Sequence, residues 1–265
     1  MQSTSPDGGE CLNCAHPLHG RFCSNCGQDG QVRRLSLRTL LSDLVDELFK
    51  LELPIARTVV RLSWWPGRVA AEYIRGRRRT YTNPLKYCLL TAAVSVLMLQ
   101  IWPIHIEPPP EAGSANGATE ISVAWYEAAE RSQQFLARYS ALITLAMLPI
   151  LAGLTRLFFL RSGHNFAEHY VLGLYVHGQW YLLGAPLAPL MSQEVGWAMT
   201  FNFALFFVIF ARAVIDFFPG NKLKNMALSM MALFLYLGVF TGLYLLALST
   251  YVFLQYPELS VNGGG

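Results

Sequence analysis

Two Cys-x-x-Cys pairs, Cys11/Cys14 and Cys23/Cys26, are separated by eight residues near the start of the chain. A short hairpin brings such pairs together as four thiolates around one tetrahedral zinc ion. All four coordination positions are then filled by protein, so the predicted role is structural rather than catalytic. A thioredoxin-type redox pair would need one motif inside a βαβ unit, and no such pattern surrounds either pair. His16 and His19 read as surface residues of the hairpin, because four cysteines are already available. Gly20 and Gly27 stand where turns around a metal favour residues that accept positive φ. Arg21 is the only cation between Cys11 and Cys26, and no basic stripe interleaved with aromatics accompanies it. That pattern argues against nucleic acid as the partner.

A second group of chemistry-bearing residues lies far along the chain. In Asn165-Phe166-Ala167-Glu168-His169, Asn165 is placed to cap a helix and Glu168 to close a capping box. At about 100° per residue, Glu168, Tyr175 and Gln179 share a narrow arc, with His169 and His177 about 80° apart. This polar stripe can line a cavity, a proton path or a metal site, or it can make hydrogen bonds between helices. No nucleophile–base pair and no His-x-x-x-His spacing accompanies it, so an enzymatic reading is disfavoured. Arg212 and Asp216, four apart, are predicted to form an ion pair on one helical face. Cys88 reads as an inert packing residue, and Gly238-x-x-x-Gly242 as a weak helix-packing signal.

These residues need elements to hold them, and composition indicates which. Of the 265 residues 53% are hydrophobic and only 14% charged, against about 25% in soluble domains. Thirteen of the twenty Lys/Arg residues precede Leu89, and long later runs are almost free of charge. The predicted class is an all-α integral membrane protein with about five transmembrane helices, a small N-terminal four-cysteine zinc ribbon and amphipathic membrane-surface helices. A net charge of +3 is too small to imply nucleic acid by itself.

The predicted order begins with a disordered tail over 1–10 and the ribbon over 11–30. An amphipathic surface region follows over 31–83, with Leu37, Leu40, Leu41, Leu44, Val45 and Leu48 at helical spacing. Pro54 opens a second short helix ending at Trp64-Trp65, and Pro66-Gly67 breaks the chain before a third. Paired tryptophans beside the basic cluster Arg75, Arg77, Arg78 and Arg79 fit a layer facing lipid headgroups. The transmembrane domain is expected over 84–256, with spans at about 85–102, 139–160, 167–184, 195–218 and 225–256, and a tail over 257–265. Asn83-Pro84 starts the first span. Pro149 should kink the second, and the Pro-broken third is either transmembrane or re-entrant.

Five spans place the termini on opposite sides. The loops on the ribbon's side would carry Arg75, Arg77, Arg78, Arg79, Lys86, Arg156, Arg161, Lys222 and Lys224. The other side has only Arg131 and Arg138, against five glutamates in the first loop. The positive-inside rule thus predicts a cytosolic N-terminus. The first thirty residues lack the apolar core of a signal peptide, and in a reducing compartment paired cysteines read as metal ligands.

Phe22-Cys23-Ser24-Asn25-Cys26-Gly27-Gln28, Trp65-Pro66-Gly67-Arg68, Glu72-Tyr73-Ile74-Arg75-Gly76-Arg77-Arg78 and Tyr81-Thr82-Asn83-Pro84-Leu85 follow one another in that order. This arrangement resembles the bacterial membrane proteins of domain-of-unknown-function family 3667. The resemblance covers about Cys11 to Tyr87 and, more loosely, the Glu168-His169 turn. One departure is Ala15, where a glycine often follows the first knuckle. The resemblance implies a bacterial inner-membrane location and a zinc ribbon, and supplies no activity. The expected function is a multispan inner-membrane protein whose cytosolic zinc ribbon is an interaction or regulatory module. The expected partners are membrane lipids and other proteins through the ribbon. The alternative is a transporter or channel using the polar stripe of the third span.

Overall fold

The computed structural model describes residues 9–32, 34, 36–40, 54–104, 120–193 and 196–255. The tails over 1–8 and 257–265, the amphipathic stretch over 41–53 and the loop over 105–119 lie outside the described residues. Among the described residues the chain is mostly helical and without strands.

The helices begin where proline and asparagine allow. Helix α1 (Pro54–Trp64) and helix α2 (Pro66–Ile74) each open on a proline, which has no amide hydrogen to leave unsatisfied at that position. Between them Trp65 is held out of the helical region by the ring that follows it. Helix α3 (Pro84–Ile101) starts on Asn83, whose side-chain oxygen accepts from the amides of Leu85 at 2.9 Å and Lys86 at 3.4 Å.

Helix α4 (Glu120–Phe158) unites the expected second span with the helical stretch before it, and the helix continues through Pro149. Helix α5 (Phe166–Gly184) covers the residues of the expected third span and is followed by a 3₁₀ turn at Ala185–Leu187 and the short α6 (Ala188–Met191). Helices α7 (Gly196–Phe217) and α8 (Lys222–Gln255) complete the bundle. Among the described residues three helices are long and apolar enough to cross a membrane: α3, α7 and α8. The apolar part of α4, Leu142–Phe158, is shorter, and α5 carries Glu168, His169, His177 and Gln179.

Helix α5 lies in the middle, against α2, α3, α4 and α7. Its central position explains its composition. An element surrounded by protein has hydrogen-bonding neighbours that lipid does not offer. Tyr175 is fully buried there, edge-on to Tyr73 of α2 with ring centroids 5.9 Å apart, and tilted against Tyr87 of α3 at 6.1 Å.

The amphipathic segments do more than lie on the bundle. Helix α2 buries Pro66, Gly67, Val69, Ala70 and Tyr73 and packs on α7. A Cβ at Gly67 would stand 2.0 Å from the Ala213 carbonyl oxygen and 2.8 Å from Asp216 Cβ, so only glycine permits this approach. Gly67→Ala is expected to force α2 off α7 and to destabilise the protein by about 1–3 kcal/mol, the usual cost of overpacking. Thermal unfolding in detergent measures this, with Gly238→Ala as the control. A Cβ at Gly238 or Gly242 meets nothing within 4 Å, so the Gly-x-x-x-Gly pair makes no close helix contact among the described residues. Trp64, at the end of α1, stays exposed.

The ends of the helices agree about polarity. The turns at Phe159–Asn165 and Phe218–Asn221 meet at one end, where the Phe159 and Phe218 rings stack at 3.9 Å and His164 stacks on Phe217 at 4.6 Å. Asn225 closes the second turn by donating to the carbonyls of Phe218 and Pro219. The cysteine module sits at this same end, joined to it through Arg34.

Candidate metal centre and its docking face

The two cysteine knuckles are near copies of one another. In the first, the Cys11 amide donates to the His16 carbonyl and the Ala15 amide to the Cys11 carbonyl. In the second, the Cys23 amide donates to the Gln28 carbonyl and the Gly27 amide to the Cys23 carbonyl. The residue after each pair is left-handed, at φ 58° for Ala15 and 71° for Gly27. Glycine accepts that conformation freely, whereas a Cβ there costs roughly 1–2 kcal/mol. Ala15→Gly is therefore expected to stabilise the first knuckle by about 1 kcal/mol. The readout is a roughly fivefold tighter hold on metal in competition with a chelator, 1.4 kcal/mol being about tenfold.

All five cysteines are free thiols. The sulfurs of Cys11 and Cys26 lie 3.6 Å apart, as do those of Cys14 and Cys23, and all four fall within 4.8 Å of one another. Four sulfurs at ~2.3 Å from a tetrahedral zinc stand about 3.8 Å apart, so this donor set can hold a metal ion. The thiols differ as protein groups. The His16 amide beside Cys14 pulls its thiol down to about 6, whereas burial pushes the Cys26 thiol up to about 12. A dication supplies the charge that makes all four thiolates at once. Cys11, Cys23 and Leu18 form the only apolar cluster of the module, too small a core to fold unaided.

The module is bound to the rest of the protein by specific polar contacts. The Gln28 side chain is buried, donating to the Gly76 carbonyl at 2.8 Å and accepting from the Arg79 amide at 3.3 Å. Asn13 accepts at one oxygen from both the amide (3.1 Å) and the hydroxyl of Thr80. Arg79 donates to the Cys26 carbonyl at 3.3 Å. Both knuckles are thus fastened to the loop between α2 and α3.

Three arginines of the basic cluster also have protein partners. Arg79 turns to the module, Arg77 pairs with Glu72 at 3.0 Å, and Arg75 donates to the Ala71 carbonyl of its own helix. Arg78 lines a cleft of about 290 Å³ between the module and the bundle, together with Arg57, Arg79 and Lys86. Glu72 also accepts from Tyr81 at 2.6 Å, and burial followed by that carboxylate pushes the Tyr81 phenol up to about 12.

The polar stripe of α5 is buried and shared among separate neighbours. Glu168 completes the capping box with Asn165 and is held by Arg34 through both carboxylate oxygens, at 3.0 and 3.2 Å. Arg34 also donates to the Gly163 carbonyl at 2.7 Å. His169 Nδ1 lies 3.1 Å from the Thr155 hydroxyl. Tyr175 donates to the Thr82 carbonyl at 2.7 Å. Gln179 accepts from Tyr87 at 2.5 Å and donates to Ser63 at 2.9 Å. His177 points elsewhere, with Nδ1 3.0 Å from the Gly173 carbonyl of its own helix. The His169 and Gln179 contacts run to neighbouring helices, those of Glu168 and Tyr175 to segments between elements, and that of His177 stays within α5.

Arg212 and Asp216 do not bond to one another. Arg212 donates to the Trp64 carbonyl at 3.1 Å, and Asp216 faces Arg68 at 3.9 Å. Both side chains are drawn to the α1–α2 corner that packs on their helix, a neighbour invisible to i,i+4 reasoning. Arg34, Asn13, Gln28 and Thr80 are the site residues that spacing rules did not find, because each acts by pairing across more than forty residues of chain.

The family model described as "Protein of unknown function (DUF3667)" matches residues 54–96, which take in α1, α2, the docking loop and most of α3. No curated protein and no solved structure matches the chain.

Proposed function

We propose that the chain is a multispan inner-membrane protein whose cysteine module binds one structural zinc ion and acts in the cytosol as an interaction or regulatory clip. The observation that carries this reading is the set of contacts that the module and Arg34 just after it make with two elements at one end of the bundle. Gln28 and Asn13 grip the loop before α3, and Arg34 grips the capping box of α5. A metal that folds the module therefore also fixes the entry to two helices of the core. The free side of the module carries Phe22, 60% exposed with Arg21 5.3 Å above its ring, beside His16 and His19. An aromatic with an arginine lid is the kind of anchor that protein partners use. Arg21 pairs with Asp29 at 3.1 Å, which supports the reading against nucleic acid.

Five passes, with the module cytosolic, satisfy the positive-inside rule. Arg156, Arg161, Lys222 and Lys224 belong to helix ends or turns on the module's side of the bundle. The decisive measurement is metal content under reducing conditions together with hydrogen exchange. One zinc per chain is expected, and chelation is expected to raise amide exchange over residues 76–82. Protein that holds no zinc, or a loop whose exchange ignores chelation, refutes the reading. A transport function keeps one supporting observation, the cavity that His177 reaches.

A further inference from the structure

We infer that the large cavity between α3, α4, α5, α7 and α8 is a binding site for a single anionic membrane phospholipid, with an acyl chain inside and the headgroup at Arg138. The cavity encloses about 780 Å³, within the range of small-molecule and cofactor sites. Its lining changes along its length. On α4 it runs from Gln133 to Met147, about 21 Å at about 1.5 Å per residue. That exceeds one leaflet, half of a hydrocarbon layer about 30 Å thick.

The end away from the cysteine module is polar, with Gln133, Gln134 and Arg138, whereas Phe206, Phe207 and Tyr236 wall the deeper part. Arg138 is the one cation among the lining residues described, and no carboxylate lines the cavity among them. A headgroup of negative charge fits that rim, and an apolar chain fits the aromatic depth. One buried hydroxyl remains to donate to an ester oxygen. Ser140 Oγ is buried without a hydrogen-bond partner among the described residues. The site is independent of the metal module, which lies at the opposite end of the bundle.

Trp180 lines the cavity and reports on it. The experiment uses the full chain with Trp64, Trp65, Trp102, Trp125 and Trp197 changed to Phe, in phosphatidylcholine vesicles doped with a dibrominated-acyl lipid. Dibrominated phosphatidylglycerol is expected to quench Trp180 saturably, at about fivefold lower doping than dibrominated phosphatidylcholine. Arg138 is exposed, so Arg138→Gln is expected to fold and to abolish that preference. Ser95→Phe with Ile143→Phe fills the cavity and should reduce quenching to the phosphatidylcholine level. Quenching that is linear, equal for both lipids and unchanged by the filling pair would come from surrounding lipid alone and overturns the proposal. Saturable quenching that ignores both headgroup charge and Arg138→Gln overturns the assignment of an anionic lipid.

Discussion

Cys23→Ser is expected to leave the protein inserted in the membrane while releasing the proposed zinc and detaching the module from the bundle. The effect is large because the module has almost no other source of folding energy. Its apolar cluster is three residues, and structural zinc contributes about 10–16 kcal/mol in comparable small sites. A serine hydroxyl does not replace a thiolate ligand, and the remaining three sulfurs lose the tetrahedral set. Once the knuckle opens, Gln28 and Asn13 no longer present their oxygens to the Arg79 and Thr80 amides. Zinc content of the purified variant, membrane fractionation and limited proteolysis at Arg21 and Arg33 check this together. Retained zinc with an uncut module contradicts it. Cys88→Ser serves as the control, since Cys88 is buried in α3, remote from the four-sulfur cluster.

The second large effect concerns Arg34. Its side chain is 46% exposed, but its partner Glu168 is only 4% exposed. The carboxylate therefore suffers most when the pair is broken. Removing one partner of a buried pair costs about 3–5 kcal/mol. Solvent around the guanidinium lowers this, and about 2 kcal/mol is expected for Arg34→Met. Glu168→Gln, which keeps a capping acceptor and removes the charge, is expected to cost less. The double variant should recover part of the loss, with a coupling of about 1–3 kcal/mol. A thermal double-mutant cycle on solubilised protein measures it, and additive effects would show that the two residues are not energetically linked. Glu168 pushes the Arg34 guanidinium up by hydrogen bonding and then by charge.

Local rules explain which parts were legible in the sequence. Asn83 before Pro84, Asn165 before Glu168 and the break at Pro66 each set a helix start through atoms a few residues apart, and each start stands where expected. The knuckles follow from the same kind of proximity. The length of α4 was harder to read, because its first half is polar enough to resemble a loop. It is helical where Ala128 packs with Leu248 and Val252 of α8. The division of the α5 stripe, the separate partners of Arg212 and Asp216 and the contacts of Arg77 with Glu72 and of Arg79 with the module were not legible. All three depend on which distant element lies opposite, and helical periodicity fixes a face without naming its neighbour.

The joined outer halves of α4 and α8 have a mechanical meaning. Arg131 donates to the Tyr251 phenol at 2.7 Å, and Ser132 shares a hydrogen bond with Tyr244 at 2.9 Å, so the two rods are tied side by side. At about 1.5 Å per residue α8 is about 51 Å long, and its first turn adjoins Phe218 at the end where the module docks. A tilt of about 5° at that base carries the far tip through about 4 Å, by lever geometry over the same length. A small shift at the base of the rods is magnified at their far tip.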